Sequence, residues 1–139
     1  MIPDGMITLS SSYGPRETMD RLATAVTKRG MAVLARIDHA AAAASAGMEL
    51  RPTEILIFGN PKAGTPLMQA AQTMGIDLPL RALVWQDAES KTWLGYNDPK
   101  WLARRHYADG GADRILGAMT DALAAVAQEA VLPPTEGTS

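Results

Sequence analysis

Cysteine is absent from the 139 residues. With it go disulfides, a thiolate nucleophile, iron–sulfur clusters and cysteine-ligated zinc. Histidine is nearly as scarce: His39 and His106 are the only two, and no metal-ligand spacing joins them to each other or to Asp38, Glu54 or Asp98. No metal and no cofactor is therefore expected. An excess of positive charge is also missing, since 13 basic against 15 acidic side chains leave a net charge of -2. A general nucleic-acid binder takes its affinity from a basic surface, so nucleic acid is not an expected partner. No apolar run approaches the ~18 residues of a membrane-crossing helix, and the first residues carry neither a basic start nor an apolar stretch of signal type. These absences together describe a cytoplasmic chain without a membrane partner.

What is present is an ordinary globular composition, 47% hydrophobic and 20% charged, in a length that suits one domain. Residues 1–131 read as that domain and residues 132–139 as a polar, disordered tail.

Met6 to Ser10 is a short β-prone run. Pro15 opens a helix over residues 15–29, with Ser12 or Gly14 as cap; Met19, Leu22, Ala23 and Val26 form its apolar stripe and Gly30 its stop. Alternation from Met31 to Ile37 predicts a strand. The alanine stretch 40–47 favours helix but has few large side chains to bury, so a short, loosely held helix is expected. Thr53 to Gly59 contains the nearly continuous apolar run Ile55-Leu56-Ile57-Phe58, the best candidate for a central strand. Asn60 to Gly64 reads as a loop, and Thr65-Pro66 as the cap and first residue of a helix with Leu67, Ala70, Ala71 and Met74 inward. Arg81 to Asp87 and Thr92 to Asn97 predict an antiparallel hairpin. Asp98-Pro99 opens a short helix, and Ile115, Leu116, Met119, Leu123 and Val126 mark a long final one. This order predicts an α+β domain, a sheet of about five strands with helices on one face.

The run Arg51-Pro52-Thr53-Glu54-Ile55-Leu56-Ile57-Phe58-Gly59-Asn60-Pro61-Lys62-Ala63-Gly64-Thr65-Pro66-Leu67-Met68 resembles the family called domain of unknown function 302. Asp77-Leu78-Pro79-Leu80-Arg81-Ala82-Leu83-Val84-Trp85 and Leu94-Gly95-Tyr96-Asn97-Asp98-Pro99 continue that resemblance in order, so that it covers nearly all of the chain to about Glu129. The resemblance implies a curved, mainly antiparallel sheet with helices on one side, a TATA-binding-protein-like outline and a homodimer. It implies no reaction.

Candidate chemistry gathers at two loops. The stretch Asn60 to Thr65 offers a helix N-terminus after a glycine-containing loop, with Lys62 adding a full positive charge, so a small anionic ligand is expected at Asn60, Lys62, Gly64 and Thr65. A nucleotide-triphosphatase loop is rejected, because no lysine follows the second glycine and Pro61 removes a donor. The bland alternative is a turn shaped by Asn60 and Pro61, a Thr65 cap and a solvated Lys62. Asn97 joins the candidate set if the loop Asn97-Asp98-Pro99 lies at the same edge of the sheet; Asp98 is first of all a cap. An enzyme would draw its acid or base from Asp98 or His106, the latter placed near a helix C-terminus where a cation is stabilised. The third alternative is a purely structural interaction module, with Trp85, Trp93 and Tyr96 of the hairpin sealing a core or a dimer interface. The methionines at positions 19, 74 and 119 fall on core stripes rather than in a soft-metal pattern.

Overall fold

The computed structural model describes residues 2–133. Its elements are β1 (Met6–Ser10), α1 (Pro15–Lys28), β2 (Ala32–Asp38), α2 (His39–Ser45), β3 (Thr53–Gly59), α3 (Pro61–Ala70), a 3-10 helix (Gln72–Ile76), β4 (Leu80–Gln86), β5 (Thr92–Asn97), α4 (Pro99–Arg105) and α5 (Asp113–Val131). The five strands form one sheet in the order β1-β5-β4-β3-β2, and every pairing is antiparallel. The fold is α+β, as the order of elements predicts.

Period-2 alternation sets the two faces of the sheet. Leu56 and Phe58 of β3, Ala82 and Val84 of β4, and Leu94 of β5 are buried and meet Met19, Leu22 and Val26 of α1 and Leu116, Leu123 and Val126 of α5 in one core cluster. Each of the larger side chains, Ala82 excepted, contributes about 1.5–3 kcal/mol on burial, and α1 and α5 supply the stripes the sequence marks out. The alternate residues Ile55, Ile57, Leu83, Trp85 and Trp93 point to the opposite face and stay partly exposed.

β1 and β2 lie at opposite edges of the sheet, and α1 crosses between them. Pro15 follows a Gly14 cap, and Asp38 caps α2 by accepting from the Ala41 N–H at 2.9 Å. That alanine helix buries none of its residues, as its small side chains predict. The α5 end is fastened by Ser12, whose N–H donates to the Val131 carbonyl at 2.8 Å. α5 ends at Val131; of the tail expected over residues 132–139, residues 134–139 lie outside the described residues.

Between β3 and β4 the structure departs from the sequence expectation. α3 starts at Pro61, capped by Asn60, and Pro66 lies inside it. Asn60-Pro61 carries the same cap-plus-proline signal as Thr65-Pro66 and precedes it, so the helix nucleates one turn earlier. Thr65 is consequently a helical residue and not a cap. Pro66 has no N–H to give the Lys62 carbonyl one turn back, which weakens the helix. The helix also stops early, at Ala71 with φ -149°, and the chain continues as the 3-10 helix that buries Met74.

Candidate functional site

β3 and β5 run in the same direction, since each is antiparallel to β4 between them. Their exits, Asn60 and Asn97-Asp98, therefore lie at one end of the sheet, two strand spacings or roughly 10 Å apart. The starts of β2 and β4 lie at that end too. This convergence of joints, with the first half of α5 beside them, forms an open cleft of about 640 Å³.

The cleft is lined by residues 59–65 in full, so Asn60, Lys62, Gly64 and Thr65 share one wall. Met31 and Leu34 come from the β2 side, Met68 from α3, Leu78, Pro79 and Leu80 from the entry to β4, and Ile115 and Met119 from α5. Its ionisable lining residues among the described residues are Arg29, Lys62 and Arg114, all cationic. All three are exposed, so they stand at the mouth while the apolar side chains form the interior.

The helix start within this wall has already used its donors. Pro61 has no N–H; Lys62 N–H donates to the Asn60 side chain at 3.0 Å, and the Ala63 and Gly64 N–H groups donate to the Asn60 carbonyl at 2.9 and 3.0 Å. Attraction for an anion therefore comes from the side chains at the mouth more than from free backbone donors. At Gly64 an added Cβ would meet Leu78 at 3.7 Å, an ordinary contact, so this glycine is not demanded by close packing.

Asn97 and Asp98 are outside the cleft lining. Asn97 pairs in register with Met6 of β1. Asp98 caps α4, accepting from the Lys100 N–H at 3.0 Å, while its own N–H donates to the Gly5 carbonyl at 2.7 Å. It also raises the Tyr96 phenol above its ordinary value, second to the larger effect of burial. His106 is at the other end of α4, about 10 Å away along a seven-residue helix. Its Nδ1 lies 2.9 Å from Thr73 Oγ1 and its Nε2 2.5 Å from Asp77 Oδ2. Arg105 pairs with the same carboxylate at 2.7 Å. The two acid-base candidates thus face different partners and share no pocket.

Sequence reasoning missed Arg29, Arg114, Thr73 and Asp77. The two arginines reach the cleft from the end of α1 and the start of α5, and Thr73 and Asp77 reach His106 across about 30 residues. No local pattern signals such meetings; only the topology does. Among the described residues no group of three or more His, Cys, Asp or Glu could hold a metal ion, and no helix is long and apolar enough to cross a membrane.

Two proteins named Fluoride-specific ion channel FluC 1, from Brucella suis biovar 1 and Brucella abortus biovar 1, are each 47% identical to this chain over 119 residues, 86% of its length. The match covers 47% and 44% of those proteins, so the chain spans less than half the length of the curated relatives it matches. The crystal structure of an uncharacterized conserved protein DUF302 from Bacillus stearothermophilus superposes with a TM-score of 0.81 at 23% identity, covering 92% of this chain and 99% of that one. This likeness carries the fold. Residues 7–126, which hold all of the sheet but Met6, α1 to α4 and most of α5, match the family described as Domain of unknown function DUF302, and the chain belongs to that family.

Proposed function

We propose that this DUF302 domain is a cytoplasmic ligand-binding domain that takes a small anionic ligand in the cleft walled by Asn60, Lys62, Gly64 and Thr65. One observation carries the reading: in a chain of net charge -2, the ionisable residues lining the cleft, among those described, are three cations without an acid. Such a mouth concentrates anions locally against the sign of the whole molecule. The volume lies within the range of about 300–1,000 Å³ common to small-molecule sites.

The test is thermal unfolding in the presence of phosphate, acetate, phosphorylated metabolites and fluoride at constant ionic strength. A ligand that binds only the native state raises the apparent melting temperature by mass action. Lys62→Ala should leave the unliganded melting temperature within about a degree, since Lys62 is exposed, while abolishing the protection. Failure of every anion to protect the native protein would overturn the reading.

The second element of the proposal is a homodimer formed through the face of the sheet opposite the α1 and α5 core. Ile55, Ile57, Leu83, Trp85 and Trp93 share that face, and Ile37 beside them at the edge is 43% exposed; a contiguous apolar surface of this kind marks an interaction site. Sedimentation at micromolar concentration should give a dimer, and Trp85→Arg a monomer. A monomer in the native protein would exclude it.

The Brucella relatives favour a compatible reading of context. More than half of each lies outside the match, and we infer that the channel activity in their name belongs to that remainder. On this reading a DUF302 domain serves beside an anion channel, which is why fluoride belongs in the panel.

A further inference from the structure

We infer that the ligand of the cleft is an aliphatic carboxylate, an anionic head on a hydrocarbon body; this rests on the anion-binding reading above and names its chemical class. The argument is in the division of the cleft. Arg29, Lys62 and Arg114 stand exposed at its mouth, whereas Met31, Met68, Leu78, Leu80, Ile115 and Met119 form the interior. Leu80 and Met119 are each only 7% exposed. An inorganic anion would engage the mouth and leave this apolar wall in water. A neutral hydrocarbon would fill the wall and leave three cations without a partner. A sugar or nucleobase would bring donors and acceptors that the apolar interior side chains do not match, and unmatched polar groups are costly to bury. An acid with an alkyl body satisfies both halves at once.

The wall composition points the same way. Three of the six interior residues are methionines, unbranched and polarizable side chains that adapt to a flexible apolar guest. Beside Met119 on α5 the lining residues Ala118 and Ala122 are small and leave room for a guest. Chain length is thus set by the available volume, and the carboxylate is anchored where water still reaches the cations.

The experiment is isothermal titration of the native protein with straight-chain carboxylates from butanoate to decanoate, below their micelle concentrations, alongside the matching neutral amides and alkyl phosphates. Each added methylene should tighten binding roughly three- to fourfold until the cleft is full. The carboxylate should bind at least tenfold tighter than its amide, and Lys62→Gln combined with Arg114→Gln should erase that preference. Ala118→Phe, on the exposed surface of α5, should fold normally and weaken the long acids while sparing acetate. Equal affinity for acid and amide would overturn the inference, as would tighter binding of the alkyl phosphate, which assigns the mouth to a phosphate head. Acetate or phosphate binding that depends on Lys62 but shows no gain with chain length would overturn it while leaving the anion-binding reading in place. No binding of any anion would overturn both.

Discussion

The Asp77 carboxylate joins two elements that are far apart in sequence: His106 Nε2, at the end of α4, lies 2.5 Å from Asp77 Oδ2. Asp77 immediately precedes Leu78 and Pro79, which wall the cleft. The wall is therefore fastened to α4 through one side chain. His106 is the inner partner, 8% exposed, while the Arg105 that shares the carboxylate is 49% exposed.

Exposure decides how the two contacts differ in value. Asp77→Ala should lower stability by about 2 kcal/mol, because a nearly buried imidazole loses a charge-assisted partner. Arg105→Ala should cost no more than about 0.5 kcal/mol, as for exposed ion pairs. Urea denaturation of both variants checks the contrast, and equal losses would contradict it.

Asn60 has a structural task separable from ligand binding. Its side chain accepts from the Lys62 N–H at 3.0 Å, and Asn60→Ala should destabilise by about 1 kcal/mol, the usual cost of losing an N-cap. Asn60→Asp keeps an acceptor and should hold stability within about 0.5 kcal/mol, while weakening anion binding by placing a negative charge in the cleft wall. Chemical denaturation and anion titration on the same samples separate the two effects.

How far the sequence was legible follows from which forces acted locally. The α1 and α5 stripes and the Asp98 cap depend on neighbours within one or two turns, and each stands where pattern reading puts it. The start of α3 departs from the sequence expectation because two cap-plus-proline pairs compete within seven residues, and propensity alone does not rank Asn60-Pro61 above Thr65-Pro66. That Lys62 shares a cleft with Arg114, and not with Asp98, is illegible in the sequence: it depends on where α5 packs, against α1, α4 and β1, a long-range outcome with no local signature. The same holds for Thr73 and Asp77 meeting His106.

The hairpin carries a pH dependence with a definite sign. The Trp93 indole N–H at 2.9 Å, then the Lys91 and Glu89 backbone N–H groups, hold the Asp87 carboxyl below its ordinary value. A carboxyl depressed in the folded state adds stability above its unfolded value near 3.9 and loses it as pH falls through the folded value. Stability should therefore drop in acid below about pH 4, and Asp87→Asn should flatten that limb. Trp93 reports directly on the contact, so tryptophan fluorescence against pH in both proteins is the measurement. Superimposable acid limbs would exclude the assignment.

At the other end of the sheet Gly5 answers to two constraints at once, and they predict different things. Its φ of +78° disfavours any side chain, a penalty of about 1–2 kcal/mol for alanine. A Cβ at Gly5 would also come within 2.3 Å of the Trp101 ring, a body too rigid to swing aside. Together they should make Gly5→Ala cost more than about 2 kcal/mol. The contributions separate in a Trp101→Leu background, where the ring is gone and only the backbone penalty remains. There Gly5→Ala should cost only that, about 1–2 kcal/mol. Because the Gly5 carbonyl also accepts from the Asp98 N–H, the single variant should loosen the α4 start, visible as faster amide exchange at Asp98 and Lys100. An additive double variant would mean that the ring yields freely and that backbone conformation alone selects glycine at this position.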